Sequence, residues 1–190
     1  DLMVDANKIS KPELIARLEK WVSAQPDAST TKYVAKSGIS VHFLTPIKGN
    51  PKNGFVQTDL MFVQNPKWSQ FIISAGDPTS IFKGADRFVC ISSLATFFGN
   101  KITQTDGMVN RETGALVSSD PNAIAKKLLS PKATAADLIS VEKMLKALET
   151  DKDRDAKLEK FRQYLATDKR VTDRDKKLVV LDTPTEAPTV

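Results

Sequence analysis

The sequence predicts a mixed α/β (α+β) fold: a small mixed sheet bearing carboxylates, flanked by helices, with a helical C-terminal portion. Two observations predict it. Short runs of branched and aromatic residues, longest in Gly54-Phe55-Val56-Gln57-Thr58-Asp59-Leu60-Met61-Phe62-Val63-Gln64, suit a pleated surface and alternate with segments whose apolar residues recur at helical spacing. Beyond Ser118 the helical spacing takes over alone. A chain of 190 residues has the length of one domain with a substantial core and a small appended part. The expected divisions are residues 1–118 as an α/β core, 119–167 as a helical subdomain and 168–190 as a charged, then Pro/Thr-rich tail.

In chain order, Asp1-Leu2-Met3-Val4 reads as a strand that leaves through the turn-prone Asp5-Ala6-Asn7. Ser10-Lys11-Pro12-Glu13 has the spacing of a capping box and opens a helix on Leu14, Ile15, Leu18, Trp21 and Val22, which Gln25-Pro26 stops. Tyr33-Val34-Ala35 and the segment from Ile39 to Ile47 read as strands. The turn-rich Gly49-Asn50-Pro51-Lys52-Asn53-Gly54 then leads into the Asp59 strand, so the two longer strands are expected as an antiparallel hairpin. Asn65-Pro66 caps a short helix carrying Trp68, Phe71 and Ile72, because proline at the first helical position loses no needed hydrogen bond. A longer helix is expected from Ser80 to Phe98, with Gly99 as its stop.

From Lys101 to Ser118 the chain is strand-like again, turning at Arg111-Glu112-Thr113-Gly114. Asp120-Pro121 opens a helix that ends near Leu129. Thr134-Ala135-Ala136-Asp137 opens another, with Leu138, Val141, Leu145 and Leu148 on its apolar stripe, and a last helix carries Leu158, Phe161 and Leu165. After Asp168 the sequence is mostly charged until Leu178-Val179-Val180-Leu181, and Asp182 to Val190 is expected as a mobile tail or extended arm.

Composition narrows the function classes. A hydrophobic content of 41% with 27% charged residues is that of an ordinary soluble globular protein and excludes a fibre or wholesale disorder. No apolar run approaches the roughly 20 residues of a bilayer span, and the first residues lack the basic flank and apolar core of a signal peptide, so membrane insertion is not expected. Cys90 stands alone within Phe88-Val89-Cys90-Ile91, which fits a packed thiol and a reducing, cytoplasmic setting. One cysteine and one histidine cannot build a Cys/His zinc site, so a catalytic metal would be held by oxygen. The net charge of +5 supports nucleic-acid binding only weakly, since acidic residues are mixed in nearly everywhere.

The informative residue is Asp59, a carboxylate in the middle of an apolar strand. It shares a face with Gln57 and Met61, while Leu60 and Phe62 point the other way. An unpaired carboxylate is costly to bury, so Asp59 needs water, a cation or a metal; the plain alternative is a half-solvated strand face. Asp1-Leu2-Met3-Val4 is a second aspartate-bearing apolar strand, separated from the first by a helix and further strands.

This arrangement resembles the DNA polymerase beta-like nucleotidyltransferase superfamily. Its members carry a Gly-Ser pair, two carboxylates one residue apart on a first strand, and a third carboxylate between apolar residues on a later strand. Asp1-Leu2-Met3-Val4 matches the second carboxylate with its apolar followers, and Thr58-Asp59-Leu60 matches the third. The segments VQTDLMFVQNPKW, FKGADR and GMVNRETGALVSSDPNAIAKKLL are similar to a group carried by tailed bacteriophages, and the likeness extends from about Asp1 to Leu148. The Gly-Ser pair and the first carboxylate would lie immediately before Asp1. Either the sequence is a fragment lacking that segment, or the protein has dispensed with catalysis. Asp5 follows the apolar residues and reads as a turn or cap, not a substitute.

The resemblance implies transfer of a nucleoside monophosphate from a nucleoside triphosphate to a hydroxyl, in an infected bacterial cytoplasm, with Asp1 and Asp59 as catalytic metal ligands on adjacent strands facing one cleft. Three carboxylates suit the chemistry, because two Mg²⁺ ions roughly 3.5–4 Å apart can serve the attacking hydroxyl and the leaving pyrophosphate. Lys83 and Arg87, four apart, are the nucleotide-binding candidates; the alternative is a solvated helix face with Arg87 paired to Asp86 or another acid. Asp86 stands where closer members of the group would carry histidine. A competing function is a non-catalytic binding or virion-associated protein that retains the fold, with virion partners.

The remaining residues carry weaker signals. His42 has no visible nucleophile beside it and reads as a strand histidine with a structural hydrogen bond. Lys126, Lys127, Lys132, Lys143 and Lys146 are either a basic surface for a nucleic-acid acceptor or solvated helix lysines, and Trp21, Trp68, Phe97 and Phe98 read as core. No motif names the acceptor, and there is no Gly-rich phosphate loop, serine-hydrolase elbow or zinc signature.

Overall fold

The computed structural model describes residues 2–25, 34–74 and 76–182, and the fold is mixed α+β as the sequence predicts. Asp1, Tyr33, Pro26 and the Pro/Thr-rich residues 183–190 lie outside the described residues. Two units form, Asp1–Ser69 and Gln70–Val190.

In the first unit, strands β1 (Leu2–Asp5), β2 (Val34–Ser37), β3 (Ser40–Pro46) and β4 (Phe55–Val63) make one sheet in the order β1-β4-β3-β2. β3 and β4 form the expected antiparallel hairpin, closed by two single 3₁₀ turns at Ile47–Gly49 and Pro51–Asn53. β1 instead runs parallel to β4, with Leu2 opposite Leu60. A parallel neighbour requires a crossover, which begins with helix α1 (Lys11–Ser23). Ser10 Oγ accepts the Glu13 N–H at 3.3 Å, as the capping signal predicts, but the Glu13 carboxylate turns to Arg17 at 2.6 Å and does not close the box.

α1 covers one face of this sheet. Ile15, Val41 and Phe62 form its buried centre, with Val4, Leu14, Leu18 and Val34 packed against them, and Trp21 stands edge-on to Phe43 at 6.0 Å. Alternation along β3 and β4 puts Val41, Phe43, Leu60 and Phe62 on the helix side and turns His42, Gln57, Asp59 and Met61 to the other. Asp5 ends β1, and its Oδ1 accepts the Asn7 backbone and amide N–H groups at 3.0 Å each, the turn role its position suggests. Helix α2 (Pro66–Ile73) follows, its entry fixed by Asn65 Oδ1 accepting the Trp68 N–H at 3.0 Å, and the division between the units falls within it.

The second unit is organised by α3 (Gly84–Phe97), whose Val89, Cys90, Ile91, Leu94 and Ala95 are fully buried. Strands β5 (Asn100–Thr103), β6 (Gly107–Asn110) and β7 (Leu116–Ser118) form a separate sheet. Helices α4 (Pro121–Leu128), α5 (Val141–Leu148), α6 (Arg154–Thr167) and α7 (Arg174–Asp182) complete the unit. β5 and α6 pack against α3, and α7 packs against α6. The division between the units falls at 69/70, and β5 to β7, paired in a sheet of their own, lie in the same unit as the helices that follow.

Three element boundaries differ from the sequence expectation. α3 begins at Gly84, not Ser80, because the Asp86 carboxylate accepts the Lys83 N–H at 2.8 Å while Ser80 Oγ donates to Glu142 and accepts the Phe82 N–H. The stripe beginning at Thr134 is two elements, a 3₁₀ turn at Ala135–Leu138 and then α5. Ser140 Oγ caps α5 by accepting the Lys143 N–H at 3.2 Å, and Met144, not Leu145, shares its buried face with Val141 and Leu148. The charged stretch after Asp168 contains α7. Its Lys177 is buried and ion-paired with Asp86 at 2.7 Å, alongside buried Val171 and Leu181. Among the described residues no helix is long and apolar enough to cross a membrane.

Candidate functional site

The hairpin register sets His42 directly opposite Asp59, on the face that α1 leaves uncovered. Their side chains meet, His42 Nδ1 to Asp59 Oδ1, at 2.6 Å. The Gln57 amide, two residues along the same strand face, donates to the same oxygen at 2.8 Å. An ionised carboxylate can only accept, so the imidazole proton sits on Nδ1 and points at Asp59. The Gln57 nitrogen also lies 3.4 Å from Nδ1, but two donors facing each other make no bond, which leaves the Asp59 contact as the real one. The two donors, His42 first and Gln57 second, hold the Asp59 carboxyl below the usual carboxylate range against the opposing effect of desolvation. The side chains keep 17% of His42 and 28% of Asp59 exposed, so the pair is half-buried and reachable. Both hydrogen bonds go to Oδ1; among the described residues nothing donates to Oδ2.

β1 lies parallel beside this carboxylate, its first described residue, Leu2, level with Leu60. Asp1, the other expected metal ligand, lies outside the described residues. Among the described residues no group of three or more His, Cys, Asp or Glu side chains could hold a metal ion. The described residues alone therefore do not assemble a two-ion magnesium site around Asp59.

Lys83 and Arg87 do not share an open helical face. Lys83 precedes the helix as its capping residue, and its ammonium donates back to the Ser80 carbonyl at 3.0 Å. Arg87 is 1% exposed. Its Nη2 donates to the carbonyls of Phe71, Ile72 and Ser74 at 3.0, 2.7 and 3.0 Å, filling acceptors left open where α2 ends, and the guanidinium lies over the Phe71 ring. Asp86 is paired with Lys177, not with Arg87. Lys126, Lys127, Lys132, Lys143 and Lys146 are exposed, with Lys127 over the Phe98 ring and Lys143 3.9 Å from Asp77. Trp68 is fully buried, whereas Trp21 keeps 43% of its surface exposed.

His42 is the residue that sequence reasoning left without a role. The hairpin closure decides its partner: Ile47 N–H bonds to the Gly54 carbonyl, and counting back equally from that bond brings His42 opposite Asp59, a register the turn-rich sequence between them does not specify. No family model, curated protein or solved structure matches the chain.

Proposed function

We propose that this chain carries the core of a metal-dependent nucleotidyltransferase, moving a nucleoside monophosphate from a nucleoside triphosphate to a hydroxyl acceptor. The observation that supports the reading best is Asp59 itself. It stands on a central strand, on the sheet face opposite α1, with one carboxylate oxygen held and the other without a donor among the described residues, and the parallel strand β1 is its neighbour. Such a carboxylate can accept a hydrogen bond or proton from an incoming hydroxyl through Oδ2. The Mg²⁺ ions, the participation of Asp1, a nucleic-acid acceptor and the bacteriophage setting enter this proposal through the resemblance. Of the two expected metal ligands, only Asp59 lies among the described residues. Arg87, being buried, is left out of triphosphate binding; Lys83 remains the exposed cation of that pair.

The test is transfer of labelled nucleotide by the full-length protein with Mg²⁺, offering host RNA, protein and small hydroxyl compounds as acceptors. Asp59→Asn keeps the shape and removes the charge, and is expected to lower transfer by about 10²–10⁴-fold while the protein stays folded by circular dichroism. Undiminished transfer by that variant would sink the reading. A second reading, a non-catalytic binding or virion-associated protein with the same fold, is favoured by one fact: Asp59 Oδ1 is already satisfied by two protein side-chain donors. Its signature is nucleotide or partner binding by the wild-type protein with no transfer to any acceptor.

A further inference from the structure

Three side chains on adjoining strand positions, His42, Gln57 and Asp59, direct both available donors to the same carboxylate oxygen. That asymmetry has a geometric consequence. A carboxylate free to rotate about its Cβ–Cγ bond presents either oxygen, whereas one gripped on Oδ1 by an imidazole at 2.6 Å and an amide at 2.8 Å presents only Oδ2. The imidazole is itself held in place by the strand register, with buried Val41 and Phe43 flanking it on the opposite face of β3. An Nδ1–H directed at a carboxylate is also a charge-assisted bond, roughly twice as strong as a neutral one.

We propose that His42 is a positioning residue for Asp59: its Nδ1–H, assisted by the Gln57 amide, fixes the carboxylate so that Oδ2 is the oxygen offered to the reaction. This rests on Asp59 being the reactive carboxylate of the proposed nucleotidyltransferase. His42 touches neither nucleotide nor acceptor in this role. Its contribution is orientation, and a misdirected carboxylate costs rate and not substrate affinity.

Two variants separate the donor from the ring. His42→Leu removes the donor and keeps an apolar side chain of similar reach. His42→Asn places an amide nitrogen where Nδ1 stands and keeps the donor. In the full-length protein, His42→Leu is expected to lower kcat for nucleotide transfer by about 10–100-fold with KM for the triphosphate nearly unchanged, and His42→Asn to recover most of the loss. A readout independent of activity is the proton NMR spectrum. The Nδ1–H shared with Asp59 is expected as a far-downfield resonance in the wild type, absent from His42→Leu and from Asp59→Asn. Thermal unfolding of each variant establishes that the comparison is made between folded proteins.

The outcomes are distinct. If Asp59→Asn transfers as well as wild type, the nucleotidyltransferase reading falls and the positioning role falls with it. If Asp59→Asn is inactive while His42→Leu keeps its wild-type kcat, the positioning role alone is overturned. It is equally overturned if His42→Asn is as impaired as His42→Leu, or if the wild-type protein lacks the downfield proton. Loss in His42→Leu, rescue in His42→Asn and a resonance that vanishes with either partner establish it.

Discussion

Cys90 and Gly107 show how single positions are constrained by what surrounds them. Burial pushes the Cys90 thiol well above its ordinary range, and the nearby Asp86 and Glu142 carboxylates push it further. The native protein is therefore expected to resist iodoacetamide at mildly alkaline pH and to be alkylated at Cys90 once denatured; mass spectrometry of trapped samples reads the difference. Gly107 adopts φ 125°, and a Cβ there would run into the Ser118 carbonyl oxygen and the Ser119 Cα. Gly107→Ala combines a strained backbone with a collision against backbone that cannot swing aside. It is expected to cost about 1–3 kcal/mol, seen as a lower urea midpoint with an unchanged slope.

At the scale of elements, α7 is tied to α3 by a buried ion pair, Lys177 with Asp86, whose side chains are 4% and 3% exposed. Asp86 also caps α3 by accepting the Lys83 N–H, so one carboxylate serves two elements. Lys177→Met leaves that carboxylate buried without its cation and is expected to destabilise by about 3–5 kcal/mol. Adding Asp86→Asn removes the stranded charge, and the Asn side chain can still accept the Lys83 N–H, so the double variant is expected to regain most of the loss. Urea unfolding of the two single variants and the double variant measures the coupling. A loss no greater in Lys177→Met than that of an exposed surface pair would show that α7 does not depend on this contact.

For the molecule as a whole, carboxylates held in the ionised form shape the response to acid. Asp59, Asp77 and Asp168 are all held below their ordinary value of 3.8: Asp59 chiefly by His42, Asp77 chiefly by the Thr79 hydroxyl, and Asp168, to about 2, chiefly by the Arg170 guanidinium. A carboxylate whose pKa is depressed on folding contributes stability that is fully present above its unfolded value. That contribution is lost as pH falls through the folded value. Stability against urea is therefore expected to hold down to about pH 4 and then to decline, with the Asp168 contribution lost as pH falls to about 2. Asp168→Asn is expected to flatten the lowest part of that profile.

Much of this architecture is legible in local sequence because local forces make it. The strands around Asp59, the hairpin turn ahead of Phe55, and the caps at Ser10, Asn65 and Asp120 follow from alternation, turn residues and side-chain oxygens placed within three residues of a helix start. Asp5 behaves as its position after the apolar run suggests. What local patterns could not decide is where each polar side chain finds its partner. Lys177 sits in a run of charges that reads as tail until Asp86 is seen beside it, and Arg87 reads as a surface cation until the carbonyls ending α2 close over it. His42 has no evident use before the register brings Asp59 within 2.6 Å. Periodicity and capping are fixed by neighbours a few positions away. Pairing a buried charge depends on groups 13 to 91 residues distant, which only the folded chain brings together because leaving them unpaired away from water costs more than ordering them.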